Sequence, residues 1–146
     1  MTEYICIAGS RACLNEAMVE RLIKRLIRVS IEKGDPLPTI VHGGATGVDQ
    51  IAEFYAEKHG LVRIVFKPAW NGPRKKGAGF QRNAMMAEFA DRLVAVWNGR
   101  SKGTKHCIEA FRRLGKPVIV KDTDFQIYYE EDKHAKGTVT RRTAST

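Results

Sequence analysis

No run in the chain approaches the roughly 20 consecutive apolar residues that a membrane-spanning helix requires. A helical membrane protein is therefore excluded from the reading. Met1, Thr2, Glu3 and Tyr4 lead into a short apolar run with no basic segment before it, which argues against a secretory signal. Only three cysteines occur, Cys6, Cys13 and Cys107, an odd number at no metal-like spacing. They give no disulfide framework and no zinc site, so a reduced, cytoplasmic protein is expected, with no metal or cofactor assigned. Acidic residues are scarce too: 16 stand against 25 Lys and Arg, a formal charge of +9. Such a surface favours anionic partners, nucleotide or nucleic acid, without choosing between them.

What is present suits one domain. The chain has 146 residues, 43% of them hydrophobic. Short β-rich runs at residues 4–8, 39–42, 61–66, 92–97 and 117–120 alternate with helical patterns. Over residues 16–33, Met18, Leu22 and Leu26 form one row at spacing four, and Val19, Ile23, Ile27 and Ile31 form the next. That spacing predicts a helix with one buried face, stopped at Gly34. Val48, Ile51, Ala52, Tyr55 and Ala56 mark a second helix, ended by Gly60. A third runs through Met85, Met86 and Phe89. Cys107, Ile108, Phe111 and Leu114 line a fourth, ended by Gly115.

The order predicts an α/β fold over residues 1–121: a Rossmann-like open parallel sheet of about five strands, with helices on both faces. Residues 122–146 form a C-terminal extension. Alternation of Phe125, Ile127 and Tyr129 with polar neighbours predicts a short strand or an arm onto a partner subunit. Residues 133–146, with Lys133, Lys136, Arg141 and Arg142, read as a flexible basic tail.

Right-handed crossovers bring every strand-to-helix turn to the carboxyl edge of such a sheet. Scattered turns thereby become one candidate site. The first, Gly9, Ser10 and Arg11, follows the first strand, and Arg11 either grips a phosphate with its planar fork or is solvated. The second contains Gly43, Gly44, Ala45, Thr46, Gly47 and Asp49 before a helix. Glycines let a ligand approach the backbone, and a helix start offers unpaired N–H groups to an anion. Asp49 either bonds a ribose hydroxyl or base, serves as a general base, or is simply a favourable carboxylate in a first helical turn. The third, residues 68–79, is long and cationic, with Arg74, Lys75 and Lys76. Its Trp70 either stacks on a base or packs the loop. The fourth contains Asn98, Gly99, Arg100, Ser101, Lys102, Gly103 and Thr104. It reads as a second anion turn or as a polar loop with Thr104 capping a helix.

Two nucleotide motifs are missing. Neither glycine turn has the Gly-Lys followed by Ser or Thr of a Walker A loop. The first turn is Gly-Ser-Arg and the second strand ends at His42, so the dinucleotide fingerprint fails as well.

The ordered set of Gly9-Ser10-Arg11, residues 43–49, Pro68-Ala69-Trp70, Ala78-Gly79, Arg82-Asn83, Ala90-Asp91 and Gly103-Thr104 resembles the SLOG superfamily, in particular its YspA-like, cpYpsA-related branch. The resemblance covers most of residues 4–120. It implies a Rossmann-like sheet that binds nucleotides or nucleotide-derived ligands. The superfamily spans cytokinin-activating phosphoribohydrolases, DNA-uptake proteins of the DprA type and ligand-sensing domains, so fold membership does not fix activity. Arg82 matches the arginine of the phosphoribohydrolases. Their catalytic glutamate falls on Cys107, whose place beside Phe111 and Leu114 predicts core packing. Asn83 either orients a ligand or satisfies backbone groups. A homo-oligomer is expected, partly on this resemblance.

Three readings follow. The leading one is a module binding or sensing a nucleotide-like small molecule through Gly9, Ser10, Arg11, Gly43, Gly44, Ala45, Thr46, Asp49, Trp70, Arg82, Asn83, Asn98, Gly99, Ser101, Gly103 and Thr104. The second is a nucleotide-cleaving enzyme using Arg82 and Asp49. The third is a nucleic-acid binder, favoured by the +9 charge and weakened by the lack of an aromatic-rich strand surface.

Overall fold

The computed structural model describes residues 2–12, 15–69, 77–122, 127–131 and 139–143. Strand alternation sorts its core into two layers. In β1 (Tyr4–Gly9), Ile5 and Ile7 enter one apolar cluster, and Cys6 and Ala8 enter the other. β4 (Arg92–Trp97) repeats the division, with Val94 and Val96 on the first face and Leu93 and Ala95 on the second. α1 (Glu16–Lys33) and α2 (Val48–Lys58) cover the first face; α3 (Ala78–Phe89) and α4 (Lys102–Arg113) cover the second. Both strands therefore read as continuous apolar runs, as expected where a parallel sheet is buried on both faces.

β2 (Thr39–His42), β3 (Arg63–Val65) and β5 (Val118–Asp122) complete the parallel part, in the order β3-β2-β1-β4-β5. The expected α/β, Rossmann-like sheet with helices on both faces is present. β3 is shorter than the expected 61–66. It is an edge strand, and its ladder extends only from Ile40↔Arg63 to His42↔Val65, against a four-residue neighbour. Beyond β5 the sheet continues antiparallel through β6 (Ile127–Glu131) and β7 (Val139–Thr143). The first lies where the alternation predicted a strand; the second lies inside the stretch read as a tail.

Two expected core positions are corrected. Ile31 is 65% exposed. A row at spacing four drifts about 40° per step on a 3.6-residue helix, so by the fourth member it has left the buried face. Ser30 is buried there instead. Leu114 is half-exposed because α4 has already ended: it is the C-cap, and the chain turns away. The ends of α1 follow the sequence logic. Asn15 accepts from the Met18 N–H at 3.2 Å, and Gly34 closes the helix at φ 70°, its N–H reaching the Ile31 carbonyl.

Candidate functional site

The helix after β1 lies on one face of the sheet and the helix after β4 on the other. Adjacent strands whose crossovers diverge leave a crevice at their carboxyl ends. A cavity of about 260 Å³ occupies it. Of the residues picked from sequence, Gly9, Arg11, Ala45, Asp49, Arg82, Asn83, Ser101, Gly103 and Thr104 line this cavity. Ser10, Gly43, Gly44, Thr46, Asn98 and Gly99 do not line it. Trp70, Arg74, Lys75, Lys76, Cys13, Lys133 and Lys136 lie outside the described residues.

The turn after β2 is closed by its own side chains. Asp49 is 5% exposed, and its Oδ2 accepts from the N–H of Gly43 at 3.0 Å and of Ala45 at 3.2 Å. Gly44 donates to His42 Nδ1 at 3.0 Å. His42 must then carry its proton on Nε2, which lies 2.9 Å from Glu53. Glu53 in turn accepts from Arg63 Nε at 2.9 Å. Three amides of the predicted anion turn thus have internal acceptors. Burial raises the Asp49 carboxyl above the ordinary 3.8, against the lowering effect of the Ala45 amide, His42, the Gly43 amide and Arg82.

Ser10, picked as a ligand contact, ties the turns together. It is buried; its N–H reaches the Val96 carbonyl, its carbonyl accepts from Val48 N–H, and its hydroxyl accepts from Asn98 N–H at 3.3 Å. Gly47 makes this packing possible: at φ 78°, any Cβ there would strike the backbone of Ser10 and Arg11.

Two residues from α3 bridge the glycine turns. Arg82 Nη1 donates to the Gly43 carbonyl at 2.6 Å, and its Nε to Asn83 Oδ1 at 3.0 Å. Asn83 Nδ2 donates to the Gly103 carbonyl at 3.1 Å and lies 3.3 Å from His106 Nδ1. A chain of hydrogen bonds therefore runs from Asp49 through Gly43, Arg82 and Asn83 to the start of α4.

The start of α4 is arranged differently from the first turn. Asn98 Oδ1 accepts from the N–H of Arg100 at 2.8 Å and of Ser101 at 2.9 Å, shaping the loop. Ser101, not Thr104, is the N-cap: its hydroxyl accepts from Thr104 N–H. Lys102 and Gly103 follow as the first helical residues, whose N–H groups have no intrahelical acceptor. Ser101, Gly103 and Thr104 line the cavity, and the hydroxyls of Ser101 and Thr104 lie 3.2 Å apart.

Sequence reasoning missed Phe80, Met86 and Cys107 as lining residues. Cys107 is buried beside Phe111, as expected, but it also borders the cavity. Phe80 stacks on His106 with ring centroids 4.1 Å apart and an interplanar angle of 7°. Burial, then Arg113, lowers the His106 pKa below 6.5, against Glu109. Glu109 itself is half-exposed, 4.0 Å from Lys105, and does not line the cavity. Among the described residues no group of three or more His, Cys, Asp or Glu forms a metal cluster. No helix there is long and apolar enough to cross a membrane.

Known proteins share this architecture. The chain is 34% identical over 85 residues to the Gene 61 protein of Mycobacterium phage D29, covering 55% of this chain and 68% of the phage protein. DNA processing protein A of Streptococcus pneumoniae superposes with a TM-score of 0.64 at 20% identity, over 80% of this chain and 49% of that one. DNA processing protein A of Helicobacter pylori, solved for its single-stranded DNA binding mode, gives 0.62 at 19% identity, over 92% and 70%. These two likenesses show the fold, and this chain spans about half the pneumococcal protein's length. Residues 4–72, from β1 through the glycine turn and β3, match a family directly. On that match and the phage relative, the chain belongs to the YspA, cpYpsA-related SLOG family.

Proposed function

We propose that the cavity binds a nucleotide or nucleotide-derived ligand, with the ligand's anionic group at the first turn of α4. The observation that carries this reading is a convergence. Gly103 at the open helix start and the side chains of Arg11 and Arg82 border the same 260 Å³ space. An open helix start and a guanidinium are the two commonest ways to hold a phosphate. Arg82 keeps donors for a ligand after its bonds to Gly43 and Asn83, because a guanidinium has five. The turn after β2 contributes shape: Ala45, whose amide is already paired with the Asp49 carboxylate, and Asp49 itself form a wall. Membership of the SLOG family supports a ligand of this class.

Calorimetry with nucleoside mono- and diphosphates, ADP-ribose derivatives and cyclic nucleotides tests the reading. Binding by at least one, weakened roughly tenfold or more by Arg11→Ala or Arg82→Ala, is expected. Folded protein that binds no member of the panel refutes it. Mass spectrometry of small molecules released from purified protein identifies the ligand without presuming one.

A second reading, cleavage of a bound nucleotide, rests on Asp49. A buried carboxyl with a raised pKa in a cavity with an arginine is a candidate general acid or base. Incubation with nucleoside monophosphates and NAD, followed by chromatography, tests it. Turnover that survives replacing both Asp49 and Arg82 by Ala sinks that assignment. The formal charge of +9 also supports nucleic-acid binding. Its affinity would fall steeply with salt, and a gel shift negative at low salt rules it out.

A further inference from the structure

Phe80 stands at the rim of the cavity on the first turn of α3, 48% exposed. An exposed aromatic ring is common on protein surfaces. A half-exposed ring stacked flat on a second ring and bordering a cavity is a different observation. Phe80 lies nearly parallel to His106, and the imidazole is itself oriented. Arg82 Nε holds Asn83 Oδ1, which turns the Asn83 amide nitrogen toward the Gly103 carbonyl and His106 Nδ1. An amide N–H facing Nδ1 fixes the neutral imidazole with its proton on Nε2. The same arginine and asparagine that border the cavity therefore set the plane of a two-ring stack at its edge.

Size points the same way. About 260 Å³ is below the ~300–1,000 Å³ of sites that enclose a drug-sized ligand. A nucleotide seated by its phosphate at α4 therefore extends outward, and Phe80 is a lining residue that is itself half-exposed. Flat aromatic side chains accept any base because every base has a π-face.

We propose that Phe80, backed by His106, is a stacking platform for a nucleobase, so that the ligand is a nucleotide with its base intact rather than a base-less sugar phosphate. This rests on the nucleotide-binding reading above. It assigns the two ends of the ligand to different elements: the anion to the start of α4 with Arg11 and Arg82, the base to Phe80.

The test compares the full chain with Phe80→Ala and Phe80→Tyr by calorimetry. The probes are the four common nucleoside 5′-monophosphates, ribose 5-phosphate and inorganic phosphate. Phe80→Ala is expected to weaken the best nucleotide by roughly 5- to 100-fold and to leave ribose 5-phosphate unchanged. Phe80→Tyr, which keeps a flat ring, is expected to stay close to the parent. Thermal melting checks that both variants fold. Ribose 5-phosphate binding as tightly as every nucleotide overturns the platform but leaves the anion site standing. So does a nucleotide affinity untouched by Phe80→Ala. A parent protein that binds none of the probes overturns the platform; the wider panel of diphosphates, ADP-ribose derivatives and cyclic nucleotides then decides separately whether the nucleotide reading beneath it stands.

Discussion

Arg82 occupies the space that a side chain at residue 43 would fill. Its Nη1 donates to the Gly43 carbonyl at 2.6 Å, and a Cβ on Gly43 would collide with the guanidinium. The glycine is therefore explained by a residue 39 positions later, not by ligand approach or an unusual backbone angle.

Gly43→Ala consequently acts on Arg82. The guanidinium is the far end of a flexible side chain, but Gly43 and Asn83 hold it from two sides. Moving it breaks both bonds. We expect ~1–3 kcal/mol of destabilisation, as for other overpacking changes. Nucleotide affinity should fall roughly tenfold or more, about 1.4 kcal/mol. Urea unfolding and calorimetry measure the two effects. A variant with parent affinity would show that Arg82 is not a ligand contact.

Asp49 separates charge from hydrogen bonding. Asp49→Ala leaves the Gly43 and Ala45 amides without their acceptor and should cost ~1–3 kcal/mol. Asp49→Asn retains an oxygen to accept them. The sign of its pH dependence follows from the raised pKa. The folded state holds the Asp49 proton more tightly than the unfolded chain, so this group favours folding at low pH. That contribution disappears as pH rises through 3.8 and then through the folded value. The stability of Asp49→Asn relative to the parent should therefore improve as pH rises across that window. Thermal melts over an acid-to-neutral series check the slope, and the opposite slope refutes the assignment.

What the sequence disclosed and withheld divides by range. The five parallel strands and four helices are written in local periodicity, and the glycine turns between them are legible too, though not what Gly43 and Gly47 pack against. The bonds that join the turns around the cavity are not local. Arg82 meets Gly43 across 39 positions and Asn83 meets Gly103 across 20. Neither spacing leaves a periodic trace. Asp49 was legible as a candidate, but its acceptor role toward the amides of Gly43 and Ala45 appears only when the turn folds back on its helix. Phe80 was hidden by a bland context: one aromatic at a helix start announces nothing until His106 lies flat against it. β7 was missed because edge pairing uses backbone groups, which apolar content does not report.

Lys116 offers a change remote from the site. Its ammonium lies 2.6, 2.9 and 2.7 Å from the carbonyls of Ala87, Glu88 and Ala90, closing the C-terminus of α3. A cation there meets the negative end of the helix and satisfies carbonyls that have no intrahelical donor. Lys116→Met keeps the stem and removes the donors. A loss of ~1–2 kcal/mol in urea unfolding is expected, with ligand affinity unchanged. Because the residue does not border the cavity, a large loss of affinity would mean that the position of α3 is set from its far end.

Asn83→Asp tests the polarity of the bridge between α3 and His106. In the parent, the amide N–H faces Nδ1, and a proton on that nitrogen would oppose it. Burial and Arg113 also disfavour the charged ring, against Glu109. The parent's His106 should titrate below 6.5, so its contribution to stability falls as pH drops through 6.5 toward the folded value. A carboxylate at position 83 reverses the preference. It accepts from an Nδ1–H and favours the imidazolium, raising the midpoint. The variant is destabilised overall, by ~1–3 kcal/mol, because the Gly103 carbonyl loses its donor. Its stability relative to the parent should nevertheless rise as pH falls from about 7.5 to about 5.5, the range in which histidine changes charge. NMR titration of the His106 ring gives the midpoint directly, and paired melts give the linkage. A midpoint unmoved by the substitution would show that Asn83 does not set the protonation of the ring beneath Phe80.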